Sequence, residues 1–259
     1  MKLRTFHIGG VHPEENKLTA EIPTKQADLP QEAIFPLGQH IGAPAKPVVK
    51  RGDKVKVGTL IAEAGGFVSA PIYSSVSGTV LKIDTSVDAT GYRKPVIIIK
   101  VEGDEWEESI DRSDKLETVA SHTELTPEEI VARVKKAGVT GMGGAGFPTF
   151  IKLCPPPGCK AECVIINGVE CEPYITADYR LEMEHADEII EGTRLLMKAA
   201  KVTRGYIGIE ENKPKAIALF EEKLKDDDQI EVVALKQKYP QGGEKQLVDA
   251  VINRQVPAP

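Results

Sequence analysis

Two patterns of apolar and polar residues divide the sequence into unlike halves. Between about Phe35 and Val101, short alternating runs are separated by turn residues such as Gly52-Asp53 and Ser77-Gly78. Short strands at close spacing, with turn chemistry between them, are typical of a small all-β module. The strands that this pattern predicts are Val48–Lys50, Lys54–Val57, Thr59–Ala62, Gly78–Ile83 and Pro95–Val101.

The second half alternates helical periodicity with short apolar runs that indicate buried strands. Thr126-Pro127-Glu128-Glu129 supplies an N-cap, a first-turn proline and a capping-box glutamate, and Gly138 ends the helix that they begin. The pattern predicts further helices over Leu181–Val202, Lys213–Lys225 and Glu244–Asn253, and strands over Cys163–Ile166, Gly205–Ile209 and Ile230–Leu235. Strands separated by helices imply βαβ units and a mainly parallel sheet.

The predicted fold class is therefore α/β plus all-β, in two different domains. We expect an extended N-terminal segment over residues 1–30 and an all-β domain over 31–103. An acidic, polar linker follows over 104–124, and the α/β domain occupies 125–259.

The amino-acid composition and charge argue against several classes of protein. The chain has 259 residues, of which 41% are hydrophobic and 28% charged, so it can bury a core and is not of a disordered type. A net charge of −6 argues against a nucleic-acid-binding protein, which needs a basic face. Neither an apolar run of membrane-spanning length nor a secretory signal is present in the sequence.

The all-β half resembles the barrel-sandwich hybrid fold of biotinyl and lipoyl carrier domains. The resemblance rests on the segments 48–60, 70–71 and 77–80. Carrier domains present a modifiable lysine at a hairpin tip, whereas the corresponding stretch Glu63–Val68 contains no lysine. We therefore expect the fold without the carrier chemistry.

A glycine-rich loop, Gly141-Met142-Gly143-Gly144-Ala145-Gly146, matches G-x-G-x-x-G formally. A helix precedes it where the dinucleotide fingerprint requires a strand, and no Gly-Lys-Ser/Thr follows, so neither the Rossmann nor the P-loop interpretation holds. Glycines let a backbone approach a flat or phosphorylated ligand closely. By itself, the loop is equally compatible with a close-packed turn.

Three segments in order carry a more specific resemblance. Gly138–Lys152, Asn167–Pro173 and Tyr239–Glu244 resemble the flavin-binding module of the 51-kDa NADH-oxidising subunit of respiratory complex I. With the start Gly9–Pro13 and the run Glu170–Asp178, the whole chain resembles the C subunits of Rnf ion-translocating ferredoxin:NAD⁺ oxidoreductases. The resemblance implies a barrel-sandwich hybrid domain followed by a Rossmann-like βαβ domain that binds FMN and NADH.

The resemblance also implies roles for individual residues. Hydride would pass directly between nicotinamide and flavin, so no catalytic side chain is expected. The expected FMN contacts are Gly141, Gly143, Gly144, Ala145, Gly146, Lys152, Asn167, Glu170 and Gly242. The expected nicotinamide-nucleotide contacts are Phe147, Glu172, Tyr239 and Glu244.

Three positions depart from the complex I pattern. Val169 and Gly243 stand where that family has carboxylates, and Pro155 stands where it has a second aromatic residue. Outside the motif set, Glu170 and Glu172 could be cap or solvent-facing residues and Tyr239 a core-edge residue. Two alternatives follow: a non-catalytic assembly scaffold, or an A-type subunit of a sodium-translocating quinone reductase.

The four cysteines are clustered, with the spacing C-x₄-C-x₃-C-x₇-C at Cys154, Cys159, Cys163 and Cys171. This spacing suits neither an iron–sulfur motif nor a zinc site, so we expect unliganded thiols and no metal. Cys171 lies inside a matched motif, and we expect it to line the flavin pocket.

The resemblance further implies a ferredoxin-like part with two [4Fe–4S] motifs beyond residue 259, so the chain is expected to be shortened. The partners it implies are the other subunits of a membrane electron-transport complex, NADH and, indirectly, ferredoxin. We expect a peripheral position on the cytoplasmic side of the bacterial inner membrane, without direct insertion into the membrane and without nucleic acid.

Overall fold

The computed structural model describes residues 3–113, 115–118, 124–142 and 144–256. The chain forms two compact units. One, the barrel unit, comprises residues 26–115 and 128–157; the other, the parallel-sheet unit, comprises residues 1–25, 116–127 and 158–259. The domain boundaries expected at residues 30, 103 and 124 stay predictions.

Two small antiparallel sheets form the barrel unit. In the first, the strands β1 (Glu32–Pro36), β7 (Arg93–Gly103), β6 (Ser77–Val87) and β3 (Lys54–Val55) lie in the order β1-β7-β6-β3. In the second, β2 (Lys46–Pro47), β4 (Leu60–Glu63) and β5 (Ile72–Tyr73) lie in the order β2-β4-β5. The all-β prediction is confirmed, although the strand predicted over Val48–Lys50 is wrong: only Val48 bonds to the neighbouring strand, through its N–H to the Ile61 carbonyl.

Alternation along the strands builds the core of this unit. Ile97 and Ile99 of β7 are fully buried, and they pack with Ile61 and Val80 in one apolar cluster. Side chains of a strand alternate between its two faces, so the intervening residues face outward. The core of the barrel unit is therefore hydrocarbon.

The helix α1 (Pro127–Lys136) lies against the barrel strands within the same unit. It begins at the predicted proline, and its end is fixed by a hydrogen bond that the Tyr73 hydroxyl donates to the Lys136 carbonyl. Gly138 follows at φ 68°, where a Cβ would lie 2.5 Å from the Pro71 carbonyl oxygen, so this position requires glycine. The helix α2 (Thr149–Lys152) comes after the glycine-rich loop.

A three-stranded parallel sheet is the centre of the other unit. Its strands β8 (Val164–Gly168), β9 (Gly205–Glu210) and β10 (Ile230–Leu235) lie in the order β10-β9-β8. Gly205 pairs with both Val164 and Ile230, so the three strands start level and end at a common edge.

Helices cover both faces of this sheet. The helices are α3 (Ala177–Glu184), α4 (Ala186–Ala200), α5 (Pro214–Lys223) and α6 (Glu244–Ile252). Ile207 and Ile209 pack on one face with residues of α3, α4 and α5, whereas Val233 and Leu235 pack on the other with α6 and Phe6. Strands that are buried on both faces form a continuous apolar run, which is why these strands could be predicted.

One predicted helix is wrong in its extent. Leu181–Val202 was expected to be continuous, but α3 and α4 are separate helices that share His185 as a cap, at φ −131° and ψ 33°. The side chains provide a reason: the Glu184 carboxylate accepts hydrogen bonds from the Thr24 N–H and Arg180, which fixes the end of α3. Asp187 and Glu188 lie in the first turn of α4, where carboxylates favour a helix N-terminus.

The described N-terminal residues up to Lys25 belong to the parallel-sheet unit and turn over residues 18–21. Arg4 forms a parallel bridge with Leu235, Phe6 is buried beside α6, and Val11 forms an antiparallel bridge with Tyr239. Among the described residues there is no helix long and apolar enough to cross a membrane.

Candidate functional site

The carboxyl ends of β8, β9 and β10 meet at one edge of the parallel sheet. The segments that leave this edge are 167–172, 210–213 and 239–244. In open α/β sheets, ligands bind in the crevice outside the carboxyl ends of the strands. This edge, which we call the carboxyl edge, therefore holds the second and third of the motifs found in the sequence.

Asn167 joins two of these segments. Its side-chain Nδ2 donates a hydrogen bond of 2.9 Å to the Gly242 carbonyl, and its Oδ1 accepts one of 3.2 Å from the Val169 N–H. A Cβ on Gly242 would lie 3.0 Å from the Val169 carbonyl oxygen, so the approach of the two segments favours glycine. The structure thus brings together Asn167 and Gly242, two of the predicted flavin contacts.

The Glu170 side chain is directed into the unit, with 1% of its surface exposed. Its Oε1 accepts a hydrogen bond of 2.8 Å from the Asp178 N–H. Its Oε2 lies 3.7 Å from the Lys17 Nζ and, in the described structure, is a buried atom without a hydrogen-bond partner. A buried carboxylate oxygen without a donor is costly, and it leaves one acceptor for a ligand or water.

The nucleotide-contact candidates of this unit are exposed. Glu172 stands on the loop after β8, and Glu244 is the first residue of α6, which Gly243 caps. Tyr239 is 40% exposed, and its backbone is held by two hydrogen bonds of 2.8 Å with Val11. Two carboxylates and an aromatic ring are thus free on this surface for ribose or amide groups.

The glycine-rich loop belongs to the barrel unit and is closed at its base. The Gly141 N–H donates to the Phe147 carbonyl at 2.9 Å, and Thr140 bridges Pro148 in antiparallel fashion. Gly141, Gly144 and Ala145 are exposed, whereas Gly146 and Phe147 are half-buried. Gly143 lies outside the described residues.

Two glycines of this loop have backbone conformations that other residues rarely adopt. Gly144 has φ 146°, and apart from its chain neighbours no described atom lies within 4 Å of a Cβ position; Gly146 has φ 60°, with the Gln39 carbonyl oxygen 3.2 Å from such a position. At Gly144 the absent side chain leaves open backbone, which suits the approach of a phosphate or a flat ring. Lys152 is exposed, with its Nζ 5.9 Å from the centre of the Phe147 ring.

The predicted site residues therefore fall into two sets. The glycine loop, Phe147 and Lys152 belong to the barrel unit. Asn167, Glu170, Glu172, Tyr239, Gly242 and Glu244 belong to the parallel-sheet unit. No single unit contains all of them.

The cysteines occupy unlike environments. Cys154 and Cys159 are exposed, Cys163 is half-buried and Cys171 is buried. Burial raises the pKa of the Cys171 thiol above its ordinary value, which the Gly242 N–H opposes by bonding to the sulfur. Within the described ranges, no group of three histidine, cysteine or acidic residues could hold a metal ion.

A buried set of charged residues beneath the carboxyl edge was not predicted. Glu182 of α3 is 3% exposed, Glu210 ends β9 fully buried, and Lys213 is 4% exposed. Lys213 Nζ donates to Glu210 Oε2 at 3.3 Å, whereas both Glu182 oxygens are buried without a hydrogen-bond partner in the described structure. Charged residues at the end of an apolar strand and in the loop that follows it, as at Glu210 and Lys213, are a sequence feature that could have revealed this set.

Burial dominates the ionisation of these carboxyl groups. It raises the pKa of Glu182 to about 8, against the opposing effect of Lys213 and with the support of neighbouring carboxylates. It also raises the pKa of Glu210 and of Asp178. A cavity of about 240 Å³ adjoins this set, and its wall includes Lys17, Glu170 and Lys213.

Two family models match the chain. The RnfC barrel sandwich hybrid domain matches residues 4–104, and the Nuo51 FMN-binding domain matches residues 134–259. The fold and the two matches define a protein with a barrel-sandwich hybrid domain followed by a flavin-binding α/β domain of the Nuo51 class. The predicted fold class is confirmed.

Similar proteins identify the family further. The chain is 44% identical to the C subunit of the proton-translocating ferredoxin:NAD(+) oxidoreductase complex of Clostridium ljungdahlii, over 99% of this chain and 55% of that protein. It is 42% identical to the C subunit of the Na(+)-translocating ferredoxin:NAD(+) oxidoreductase complex of Acetobacterium woodii, over 96% of this chain and 56% of that protein. It is 38% identical to the C subunit of the ion-translocating oxidoreductase complex of Pseudomonas aeruginosa, over 99% and 32%.

Over nearly its whole length the chain is homologous to Rnf complex C subunits, at 38–44% identity. The resemblance stated from the motifs is thereby confirmed. The chain spans about half the length of the first two relatives and about a third of the other. Among solved structures, a chain of an NAD⁺-reducing [NiFe]-hydrogenase is 24% identical over 51% of this chain and 25% of its own, with a TM-score of 0.44.

Proposed function

We propose that this protein binds FMN and exchanges hydride between the flavin and NADH, as the nucleotide-oxidising or nucleotide-reducing subunit of a ferredoxin:NAD⁺ oxidoreductase. The observation that carries the proposal is the joining of Asn167 to Gly242 at the carboxyl edge, in a domain that matches the FMN-binding model. Carboxyl edges of parallel sheets are where α/β proteins hold nucleotides.

The residues present suit a flavin. The open backbone at Gly144 admits a phosphate or ring, and the unpartnered Glu170 Oε2 offers a buried acceptor. Bound FMN supplies a two-electron acceptor that can release electrons singly. The chain's part is to hold it: Gly141, Gly143, Gly144, Ala145 and Gly146 by close backbone approach, and Lys152 by its positive charge.

The nucleotide would be held by exposed side chains. Phe147 and Tyr239 offer aromatic faces for stacking, and Glu172 and Glu244 offer carboxylates for hydroxyl or amide hydrogens. No side chain needs to move a proton, because hydride transfer depends on the alignment of the two rings.

The partners follow from the family. The relatives are named as members of complexes, so we propose that this protein also assembles with membrane subunits and serves an ion-translocating electron-transport complex. We place it on the cytoplasmic side of the bacterial inner membrane, held through those partners. Electrons would pass through [4Fe–4S] clusters outside this chain, toward or from ferredoxin.

One observation favours a second candidate, the non-catalytic scaffold. Val169, which replaces a carboxylate of the complex I pattern, is 6% exposed and packs in an apolar cluster with Phe6 and Leu247. The Val169 side chain cannot contribute a polar flavin contact. A protein that kept the fold while losing such contacts would assemble without binding FMN.

Flavin titration separates the two candidates. The full-length protein, reconstituted with FMN, is expected to quench flavin fluorescence saturably and to lose its visible flavin absorption when NADH is added anaerobically. Folded protein that takes up no FMN would overturn the enzyme in favour of the scaffold.

Matched variants test the assigned residues. Lys152→Met should weaken FMN binding by about ten- to a hundredfold, because a charge-assisted contact contributes about 1.5–3 kcal/mol. Glu172→Gln should weaken NADH binding while sparing FMN. Lys160→Met is the control, since Lys160 is exposed and outside both sets. If the two site variants match the control, the residue assignments are wrong even where FMN binds.

A further inference from the structure

The Lys17 ammonium is enclosed by one loop of the carboxyl edge. It donates hydrogen bonds to the carbonyl oxygens of Glu170 at 2.8 Å, Glu172 at 2.8 Å and Ile175 at 2.6 Å. All three of its N–H donors are thus used, and its side chain is only 14% exposed. The Glu170 carboxylate lies 3.7 Å away and adds an opposite charge.

The loop that encloses the Lys17 ammonium, residues 170–176, has a strained backbone. Tyr174 has φ 70°, in the left-handed region that non-glycine residues rarely adopt. Its N–H donates to the Glu15 carbonyl at 2.9 Å, and the Thr176 hydroxyl lies 2.6 Å from that of Thr19. Such a conformation persists only where the surroundings hold it, and here residues 15–19 of the N-terminal segment do so.

Lys17 is the charged centre of this arrangement. Without it, three carbonyl dipoles and the Glu170 carboxylate would converge on a point with no donor, so they would repel one another. Relief of that repulsion requires the loop to open. Because Glu170 and Glu172 are both on the loop, their side chains would lose their fixed places.

We propose that Lys17 is a positioning residue that fixes the 170–176 loop so that Glu172 meets the nicotinamide nucleotide at a set place. The proposal rests on the proposed function for the identity of the ligand, although the bracing of the loop can be tested without any ligand. Lys17 touches no substrate in this proposal and acts through the loop backbone.

The experiment compares Lys17→Ala with Lys215→Met. Lys215 lines the same cavity, and its Nζ pairs with the Glu21 carboxylate at 2.7 Å, so its loss removes a nearby charge without touching the loop. Hydrogen exchange in the unliganded protein is expected to rise about tenfold or more at amides 171–178 in Lys17→Ala only, because charge-assisted hydrogen bonds to the loop are lost. Exchange elsewhere should match the wild type.

Nucleotide binding and chemical rescue supply the second arm. Lys17→Ala should weaken NADH binding by about tenfold, and propylammonium, which replaces the deleted atoms, should restore part of it. Lys17→Met, which keeps the aliphatic stem, should behave like Lys17→Ala and replaces it if the alanine variant does not fold.

The outcomes separate the two proposals. Unchanged exchange at 171–178, or equal changes in Lys17→Ala and Lys215→Met, would overturn the positioning role whatever the ligand. If the exchange result holds but wild-type protein binds neither FMN nor NADH, the proposed function fails while the bracing of the loop stands. If exchange rises while NADH affinity and rescue show no change, Lys17 is structural only and the positioning proposal is wrong.

Discussion

The two units bury different kinds of residue. Among the described residues, the buried polar side chains of the barrel unit are three serines, Ser69, Ser74 and Ser77. Every buried carboxylate and ammonium group that the structure describes lies in the parallel-sheet unit: Glu170, Glu182, Glu191, Glu210 and Lys213. The side-chain atoms that are buried without a hydrogen-bond partner also lie there.

The difference in buried polar residues shows which unit keeps charged groups in its interior. A serine hydroxyl is easily satisfied within a fold, as when Ser74 donates to the Val76 carbonyl at 2.7 Å. A buried charge costs far more, so its presence points to a requirement other than stability. The buried interior of the barrel unit thus serves packing, whereas the interior of the parallel-sheet unit gives up stability to keep charged groups such as Glu182, Glu210 and Lys213 beneath its carboxyl edge.

The largest effect on stability is expected from the removal of Lys213, which tests the contrast between the buried charges of the two units. Lys213→Met leaves Glu210 buried without its partner, and we expect a loss of about 3–5 kcal/mol in the free energy of unfolding. In the barrel unit, Lys54→Met removes an exposed pair with Glu102, whose atoms lie 2.7 Å apart, and should shift the urea midpoint only slightly. Urea unfolding followed by circular dichroism measures both; equal midpoints for the two variants would contradict the contrast.

Removing the charge of Glu182 should have the opposite sign and depend on pH. The folded-state pKa of about 8 exceeds the ordinary value of 4.5, so the folded protein binds the extra proton between these values and loses stability as the pH rises through them. Glu182→Gln removes that loss. We expect a gain of about 2–4 kcal/mol at pH 8.5 and only about 0.4 kcal/mol at pH 4.5, where the folded carboxyl is protonated and the unfolded one is half-protonated.

Thermal unfolding at several pH values measures the Glu182 effect. The control is Glu102→Gln in the barrel unit, where hydrogen bonding to Lys54 lowers the carboxyl pKa, so its stability difference should grow in the destabilising direction as the pH rises. If the stability difference between Glu182→Gln and wild type stays constant from pH 4.5 to pH 8.5, the buried carboxyl does not titrate as stated.

The sequence is sufficient to predict those strands and helices that depend only on nearby apolar residues and on helix-terminal residues. The strands β9 and β10 were found because apolar residues buried on both faces form continuous runs, and α1 because Pro127 and Gly138 mark its ends. The division of Leu181–Val202 at His185 could not be predicted, because it depends on contacts with Thr24, more than 150 residues away in the sequence.

The candidate site shows the same limit. Asn167 and Gly242 were identified through their motifs, and their contact follows from the parallel order of β8, β9 and β10. Lys17 was missed because nothing in an extended, mixed-composition segment distinguishes one lysine from the next. Its role exists only where three carbonyl oxygens converge, and that convergence is a property of the folded loop.

The smallest expected change in stability comes from Gly192→Ala in the parallel-sheet unit, which we compare with Gly78→Ala in the barrel unit. In the parallel-sheet unit, Gly192 lies within α4, and a Cβ there would have no atom within 4 Å. Gly192→Ala should therefore stabilise the protein by about 0.5–1 kcal/mol, because alanine loses less backbone entropy in a helix. In the barrel unit, a Cβ at Gly78 would lie 2.0 Å from the Lys100 carbonyl oxygen of β7, so Gly78→Ala should destabilise.

These two substitutions add the same methyl group, so a difference in their sign comes from the surroundings alone. The thermal midpoint of each variant against wild type measures it. Destabilisation by Gly192→Ala would show that α4 tolerates less than its open surface implies. The units would then be alike in their response to added volume, and the contrast between them would reduce to their buried charges.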